Sequence, residues 1–501
     1  MDPLVERTIL TLYYLILGVL ALYGSHRLLM VALYYRTRHR TPRRPPEPAE
    51  WPVITVQLPL FNEMYVAQRL IESVCRFDYP RESLEIQVLD DSTDETRDLV
   101  AATVEHLRSR GFDIHHIHRT DRAGYKAGAL EAGLARARGQ LVAVFDADFV
   151  PQPDFLRRMV PYFADPGIGM VQARWGHLNR EYSLLTHVQA MFLDGHFAIE
   201  HFARNRSGRF FNFNGTAGIW RRQAIEDAGG WQHDTLTEDL DLSYRSQLAG
   251  WRFLFINDVV APAELPVDVL GFKRQQFRWA KGSIQTARKL LGRILRAPIP
   301  FKVKLEAFVH LTNNVCYPLM IGLSLLIFPA MVLRRGSSPL VLLLVDTPLF
   351  LSATASVFLF YLASQKAVGA DWRDQLKRLP PLMGMGIGLA LNNCRAVIEG
   401  WLADGGEFER TPKYRIEGSS DGWREKRYRP RRNISFLVEG AFAVYFLGVT
   451  LAAWDTGMWL SIPFLYLFLQ GFAYMFLLSL SSLWPGNGAE AAQLAPLRSA
   501  D

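Results

Sequence analysis

Long apolar stretches constrain this chain more than any other feature of its sequence. Runs of about 18 to 28 residues are long enough to span ~30 Å of hydrocarbon. They cover residues 8–25, 311–333, 339–365, 434–454 and 457–484, and two of them contain a single acid, Asp346 or Glu439. A purely water-soluble protein is therefore excluded, although the overall apolar content of 49% is ordinary.

Basic residues are concentrated beside these runs. The net charge of +7 is too small and too scattered to indicate a nucleic-acid partner. Two clusters, 36–44 and 424–432, hold five arginines each and flank apolar runs. Because basic flanks stay on the cytoplasmic side, we predict a protein of the cell inner or plasma membrane with its soluble domain in the cytoplasm. Charged residues precede the run at 8–25, which favours a retained anchor over a cleaved signal peptide.

The apolar segment 380–402 requires a separate interpretation. It contains Asn392, Asn393 and Arg395, and if it crossed the bilayer the basic cluster at 424–432 would be exported. We therefore predict an interfacial helix here, five spanning helices and a cytoplasmic C-terminus. The predicted division is a transmembrane helix at 1–36, a basic linker at 37–52, a soluble domain with interfacial helices at 53–300, two transmembrane helices at 301–365, an interfacial helix and loop at 366–432, two transmembrane helices at 433–485 and a flexible tail at 486–501.

The soluble region alternates between two hydrophobic periods. Short β-branched runs at 53–58, 85–89 and 141–145 predict strands, and the patterns at 95–110 and 125–138 predict helices between them. Strands that alternate with helices indicate an α/β domain built on a parallel sheet.

Acidic residues follow two of these strands at the point where each strand ends. Asp90 and Asp91 come after the strand at 85–89, and Asp146 and Asp148 come after the strand at 141–145. Open α/β sheets bind ligands at this edge, and two neighbouring carboxylates suit a divalent cation such as Mg²⁺ or Mn²⁺ completed by phosphate oxygens. Each pair alone is equally typical of an ordinary polar turn.

Two further motifs lie at the starts or on the faces of predicted helices. Thr237-Glu238-Asp239 precedes a helical pattern, so it is typical of a helix cap and also of a fixed catalytic carboxylate that stays ionised. Gln275 and Arg278 share one helical face beside Trp279, where they suit a diphosphate and a sugar ring. The same pattern is typical of an interfacial helix at headgroup level. Lys126 lies at a helix start that favours phosphate.

The joint occurrence of these motifs is far more specific than any one of them. D at 91, D-x-D at 146–148, T-E-D at 237–239 and Q-x-x-R-W at 275–279 resemble, in this order, the processive family 2 glycosyltransferases. The segments 87–94, 124–130, 145–149, 171–175 and 213–218 resemble more closely the plant cellulose-synthase-like A and C groups, which are mannan and glucan synthases. The resemblance is dense over about residues 50–300 and loose in the membrane part.

This resemblance implies a GT-A (Rossmann-like) α/β domain in the cytoplasm, embedded between transmembrane helices. The implied reaction is an inverting transfer of hexose from a nucleotide sugar, with UDP-glucose favoured over GDP-mannose, to the non-reducing end of a growing β-linked polysaccharide that is then secreted. The implied roles are Asp239 as general base with Glu238 beside it, Asp90 and Asp91 at the nucleobase, Lys126 at the diphosphate, Asp146 and Asp148 at the donor and its Mg²⁺ or Mn²⁺, and Gln275, Arg278 and Trp279 at diphosphate and acceptor.

One loop resembles the gating loop of the same family. Phe408-Glu-Arg-Thr411-Pro-Lys413 matches the pattern F-x-V-T-x-K, except that Arg410 stands where the pattern has Val. The resemblance implies that Thr411 and Lys413 touch the donor diphosphate. Without it, the loop is typical of a juxtamembrane linker that binds anionic headgroups.

Two other functions stay open at this point. A single-transfer glucosyltransferase acting on a membrane lipid, such as ceramide or diacylglycerol, would need the same donor site and interfacial helices. A transporter or scaffold is disfavoured, because the spans show no inverted repeat and the acidic clusters lie in the soluble domain. The expected partners of the leading hypothesis are a nucleotide-sugar donor, a glycan acceptor and the bilayer.

Overall fold

The soluble domain is built around a single sheet whose carboxyl edge carries the predicted motifs. The computed structural model describes residues 2–334, 340, 344–345, 347–418, 420–428 and 434–482, so the tail predicted at 486–501 lies outside the described residues. The strands are β1 Ile54–Leu60, β2 Leu84–Asp90, β3 Ile114–His118, β4 Leu141–Val144, β5 Ile168–His177, β6 Gly218–Arg221 and β7 Arg252–Ala263.

The sheet is mixed: the three predicted strands pair in parallel as expected, but the sheet as a whole is not parallel. Its order is β3-β2-β1-β4-β6-β5-β7. β1, β2, β3 and β4 pair in parallel, as the alternating pattern predicts, and β5 pairs in parallel with β7. β6 runs antiparallel to β4 and β5. The four residues of β6 are too short to give a periodic signal, which is why the sequence did not reveal this reversal.

Helices cover both faces of the sheet and form the membrane part. They are α1 Pro3–Thr37, α2 Ala67–Cys75, α3 Thr96–Ser109, α4 Tyr125–Leu134, α5 Phe155–Met159, α6 Leu184–Asp194, α7 Phe202–Arg206, α8 Arg222–Glu226, α9 Glu238–Leu248, α10 Val269–Arg296, α11 Phe301–Thr312, α12 Cys316–Leu333, α13 Thr347–Phe350, α14 Ser356–Ala367, α15 Trp372–Leu376, α16 Leu379–Gly388, α17 Ala390–Leu402, α18 Phe436–Asp455 and α19 Ile462–Ser481. One core packs α2, α3 and α5 against the sheet, and another packs α4 and α9 against its opposite face.

Five helices of the described part of the chain are long and apolar enough to cross a membrane. They are Pro3–Thr37, Phe301–Leu333, Thr347–Ala367, Phe436–Asp455 and Ile462–Ser481, and they lie where the sequence predicts spans. One precedes the sheet and four follow it, which is the arrangement of a multi-pass membrane protein. The first helix is longer than its apolar run, because its last turns pack Met30 and Tyr34 against Ile199 and Phe202 of the soluble domain.

The segment predicted as one interfacial helix, 380–402, forms two helices separated at Leu389. α16 packs against α19, where a Cβ on Gly471 would lie 2.2 Å from the carbonyl oxygen of Gly384. α17 packs along α10, and Asn392 donates a hydrogen bond to the carbonyl of Lys273. Asn392, one of the polar residues that interrupt this segment, therefore faces α10.

The long amphipathic helix α10 connects the soluble site to the membrane helices. Its backbone lies directly against the start of α9, because a Cβ on Gly282 would lie 2.8 Å from the backbone nitrogen of Thr237. Replacing Gly282 with any larger residue must therefore push α10 away from the segment that carries Glu238 and Asp239.

We expect Gly282→Ala to lower the free energy of unfolding by about 1 to 3 kcal/mol, because the added methyl group overpacks a contact with backbone. Gly292→Ala on the same helix is the matched control, since the nearest atom to its Cβ is the flexible end of Arg296 at 3.5 Å. Alanine is the better helix former, so this control is expected to be neutral or slightly stabilising. Thermal unfolding of both variants in detergent provides the comparison, and equal midpoints would contradict the contact.

Candidate active site

A cavity of about 170 Å³ lies at the carboxyl edge of the sheet. It is called the donor cavity below, after the role that the family resemblance implies for it. Its lining combines the ends of β1, β2 and β4 with the start of α9, one face of α10 and the loop after α17. The predicted site residues that line it are Asp91, Lys126, Asp146, Asp148, Glu238, Asp239, Gln275, Arg278, Trp279, Thr411 and Lys413. Residues up to 322 positions apart are thus brought together as the motifs predict.

Each carboxylate of the Asp146/Asp148 pair faces a lysine ammonium group. Lys126 lies 2.5 Å from Oδ1 of Asp146 and also donates to the carbonyl oxygen of Gly215 at 2.9 Å. Lys413 lies 2.6 Å from Oδ2 of Asp148 and donates to the carbonyl oxygen of Glu264 at 2.8 Å. Both carboxylates therefore attract cationic groups, as ligands of a divalent cation do.

The side chains of Asp90 and Asp91 lie in two different environments. Asp91 faces the cavity, where Nε and Nη2 of Arg119 donate to its two oxygens at 2.8 and 2.6 Å. Asp90 is fully buried behind it and accepts from His116 and from the amide of Ser92. Successive side chains of a strand point to opposite faces of the sheet, so Asp90 does not line the donor cavity. The predicted contact of Asp90 with the nucleotide is therefore not possible from this position.

Asp239 is the carboxylate best placed to accept a proton. It begins α9 with Glu238, its Oδ1 accepts from the amide of Leu240 at 2.8 Å, and the left-handed backbone of Gly215 (φ 79°) approaches its Oδ2 closely. Burial, and next the charge of Glu238, raise the pKa of Asp239 to about 7. The sequence predicts that the helix start keeps the Asp239 carboxylate ionised. In the structure the effect of burial on the pKa of Asp239 outweighs that of the helix start.

Helix α10 presents the Q-x-x-R-W motif to the same cavity. The guanidinium group of Arg278 lies 4.3 Å from the ring centre of Phe408 and donates to the carbonyl oxygen of Glu409 at 3.0 Å. Gln275 and Trp279 line both this cavity and a larger one described below. The motif is therefore part of the site rather than of a headgroup-binding helix.

The loop Phe408–Lys413 lies inside the site. Phe408 is held between Arg278 and Tyr125, and Arg410 forms an ion pair of 3.3 Å with Glu63. The Arg410 guanidinium also lies 3.9 Å from the ring centre of Tyr428. Thr411 is buried, and its Oγ1 has no hydrogen-bond partner among the described residues.

A second cavity of about 1120 Å³ begins at the donor cavity and continues among the membrane helices. The two cavities share the lining residues Trp175, Leu193, Asn214, Thr237, Asp239, Gln275 and Trp279. Residues at the opposite end of the helices, Met458 and Trp459 after α18 and Arg334 after α12, also line it. Asp239 therefore lies at the junction between a polar site and a cavity that follows the helices across the membrane region.

Sequence reasoning missed several residues of this site. Arg119 forms an ion pair with Asp91, and Glu63 forms an ion pair with the loop after α17. Neither residue belongs to a motif named above. His116 and His118 contact Asp90 and alternate along β3. In the sequence, the signal for these two histidines is their i, i+2 spacing on a strand that lies next to a strand ending in an acidic residue. This spacing places both histidine side chains on one face of the sheet.

Comparison with known proteins identifies the class of the soluble domain. Residues 52–282 match the family described as glycosyltransferase like family 2. The fold resembles that of a solved mannosyltransferase, PcManGT from Pyrobaculum calidifontis in complex with GDP-Man and Mn²⁺, with a TM-score of 0.52 and 24% identity over 71% of this chain and 98% of that chain. The soluble region therefore has the GT-A fold and resembles the family 2 glycosyltransferases, as its motifs predict.

The curated relatives are plant enzymes. Glucomannan 4-beta-mannosyltransferase 2 of Arabidopsis thaliana is 45% identical over 253 residues, which are 50% of this chain and 47% of that protein. Glucomannan 4-beta-mannosyltransferase 1 of Oryza sativa subsp. japonica is 42% identical over 269 residues, which are 53% of this chain and 51% of that protein. The chain spans about half the length of the curated relatives it matches, and it resembles the cellulose-synthase-like A proteins within the predicted family.

The raised pKa of Asp239 predicts the pH dependence of the reaction. A general base works only when deprotonated, so kcat/KM should rise with pH through about 7 rather than near the ordinary carboxyl value. Glu238→Gln removes the neighbouring charge that raises this pKa, so its acid limb should move to lower pH. Glu226→Gln, at an exposed surface pair with Arg222, is the matched control. A wild-type limb near pH 4, or the same limb in Glu238→Gln, would contradict the assignment.

Proposed function

We propose that this protein transfers mannose from GDP-mannose to the non-reducing end of a growing β-linked glycan and passes the product through its membrane helices. The observation that carries the proposal is the position of Asp239, which lines both the donor cavity and the large cavity among the helices. An acceptor glycan whose end reaches Asp239 from the second cavity is extended at that end. The rest of the glycan stays in the second cavity after each transfer.

The reaction is a single displacement at the anomeric carbon. The acceptor hydroxyl gives its proton to Asp239 as its oxygen attacks the anomeric carbon, and the bond from that carbon to the diphosphate breaks. One displacement inverts the configuration, which turns an α-linked donor into a β-linked product. Arg278 and Lys126 face the same cavity from two sides and neutralise the negative charge of the departing diphosphate.

Asp146 and Asp148 are the residues that would hold the divalent cation of the reaction. Their fit follows from their present partners, since each attracts an ammonium group to within 2.6 Å or less. A bound Mg²⁺ or Mn²⁺ supplies positive charge at the diphosphate oxygens. The mannosyltransferase PcManGT, whose fold is similar, was solved in complex with GDP-Man and Mn²⁺.

We propose that the loop Phe408–Lys413 acts as a gate that closes over the donor. In the structure it rests in the cavity, with the ammonium of Lys413 on Asp148 and the hydroxyl of Thr411 buried without a partner. An unsatisfied buried hydroxyl is costly, and a diphosphate oxygen is an acceptor that would satisfy it. Lys413 can leave Asp148 for the same diphosphate when a cation takes its place.

The relatives favour a different donor sugar from the one expected from the family resemblance. The expectation from that resemblance is UDP-glucose, whereas several curated relatives are named as 4-beta-mannosyltransferases of glucomannan. Because they are 42% to 45% identical over half of this chain, we propose a mannosyl donor and a β-1,4 linkage. The basic residues between α1 and β1 support a cytoplasmic catalytic domain in an inner or plasma membrane.

Product analysis tests this proposal. Purified protein in lipid nanodiscs is offered radiolabelled GDP-mannose, GDP-glucose or UDP-glucose with Mn²⁺, and the product is digested with a β-1,4-mannanase. The expected product is a mannanase-sensitive polymer made from GDP-mannose and lost in EDTA. Asp239→Asn should keep donor binding and lower turnover by about 10²-fold or more, whereas Asp234→Asn, at a surface pair with Lys289, should not.

Other outcomes would replace the proposal. A product that extracts into organic solvent as a monoglycosylated lipid would identify a lipid glycosyltransferase. Incorporation from UDP-glucose but not GDP-mannose would identify a glucosyltransferase in place of a mannosyltransferase. Normal turnover of Asp239→Asn would remove that residue as the base.

A further inference from the structure

Two histidines and an aspartate form a cluster on the back of the donor site. Asp90 is the last residue of β2, and His116 and His118 lie at alternate positions of the neighbouring strand β3. One ligand atom from each residue lies within 4.8 Å of the others. Nε2 of His116 is 2.9 Å and Nδ1 of His118 is 3.7 Å from the same oxygen, Oδ2 of Asp90.

The Nδ1 atom of His118 is the feature that hydrogen bonding does not explain. It is buried and has no hydrogen-bond partner among the described residues. At 3.7 Å from the carboxylate oxygen it is too far for a hydrogen bond. A buried imidazole nitrogen and a carboxylate oxygen that face each other across this gap are stabilised by a cation held between them.

We propose that Asp90, His116 and His118 bind a zinc-type divalent metal ion at a site separate from the catalytic pair Asp146 and Asp148. Two imidazole nitrogens and one carboxylate are ligands of the type that zinc prefers. Ligands about 2.0 to 2.1 Å from a tetrahedral zinc ion are ~3.3 Å apart, and the two measured separations from Oδ2 of Asp90, 2.9 and 3.7 Å, lie on either side of this value.

The surroundings of the cluster fit a bound metal. The other oxygen of Asp90 accepts the amide of Ser92 at 2.9 Å, which fixes the carboxylate as an outer-shell contact does in metal sites. Asp90 is fully buried, whereas 17% and 19% of the side chains of His116 and His118 are exposed. Water therefore reaches the open side of the cluster and can complete the coordination. All three ligands lie on paired strands, so little ordering is needed on binding.

The site has a consequence for the donor cavity. Asp91 follows Asp90 and Arg119 follows His118, and these two residues form the bidentate pair that faces the donor. A metal ion that joins the ends of β2 and β3 from behind holds this pair in register. His116 and His118 are thus positioning residues for the nucleotide end of the site and do not touch the reacting atoms.

Metal analysis of the purified full-length protein tests the proposal. The protein is prepared with an affinity tag that contains no histidine, loaded with Zn²⁺, dialysed and measured by elemental mass spectrometry. The expected content is one zinc per chain in wild type and in Asp146→Asn. His118→Ala and the larger His118→Gln should each bind zinc at least about tenfold more weakly, as measured by chelator competition.

His115→Ala is the matched control, because His115 directly precedes His116 on β3 but contacts Asp113 instead of Asp90. It should retain the metal, and Co²⁺ loaded in place of zinc should show visible d–d absorption in wild type, in Asp146→Asn and in this control, with weaker absorption in the two His118 variants. The proposal is overturned if wild type binds no zinc after loading, if both His118 variants bind as tightly as wild type, or if Asp146→Asn abolishes binding.

Discussion

The balance of charge in the donor cavity is the constraint on which the rest of the structure depends. Carboxyl groups and cationic side chains line this cavity together; among them, Asp146, Asp148, Glu238 and Asp239 share it with the cations Lys126, Arg278 and Lys413. Buried carboxylates without such partners would cost several kcal/mol each. The cations come from α4, α10 and the loop after α17, so the site is complete only when the sheet, the interfacial helix and the membrane-proximal loop are assembled together.

This balance links the loop to the donor. In the proposed reaction, a nucleoside diphosphate sugar with its divalent cation would bring both signs of charge into the cavity, so the ammonium of Lys413 could move from Asp148 to the diphosphate with little change in the total charge. Burial, and next the charge of Glu238, raise the pKa of Asp239 to about 7, so this carboxyl group is protonated at low pH and is able to accept a proton near neutral pH. Helix α10 ties these events to the membrane cavity, because Gln275 and Trp279 line both spaces.

Sequence reasoning reached the architecture where a strong local signal existed. Long apolar runs predicted the membrane helices, and carboxylates after strands predicted the cavity, because strand ends converge at one edge of a sheet. The antiparallel strand β6 gave no signal in four residues. Whether Asp90 or Asp91 faces the donor depends on strand alternation that the motif does not show, and the contacts of Glu63 with Arg410 and of Asp91 with Arg119 join distant segments whose partners no local pattern specifies.

The central claim is that the glycan formed at Asp239 leaves through the cavity among the helices, and its most direct test is where the product accumulates. The protein is reconstituted into sealed vesicles with its catalytic domain outside, supplied with external GDP-mannose and Mn²⁺, and then treated with a β-mannanase that cannot cross the bilayer. The account predicts that the polymer resists digestion until detergent opens the vesicles. A polymer that is digested in intact vesicles would contradict it.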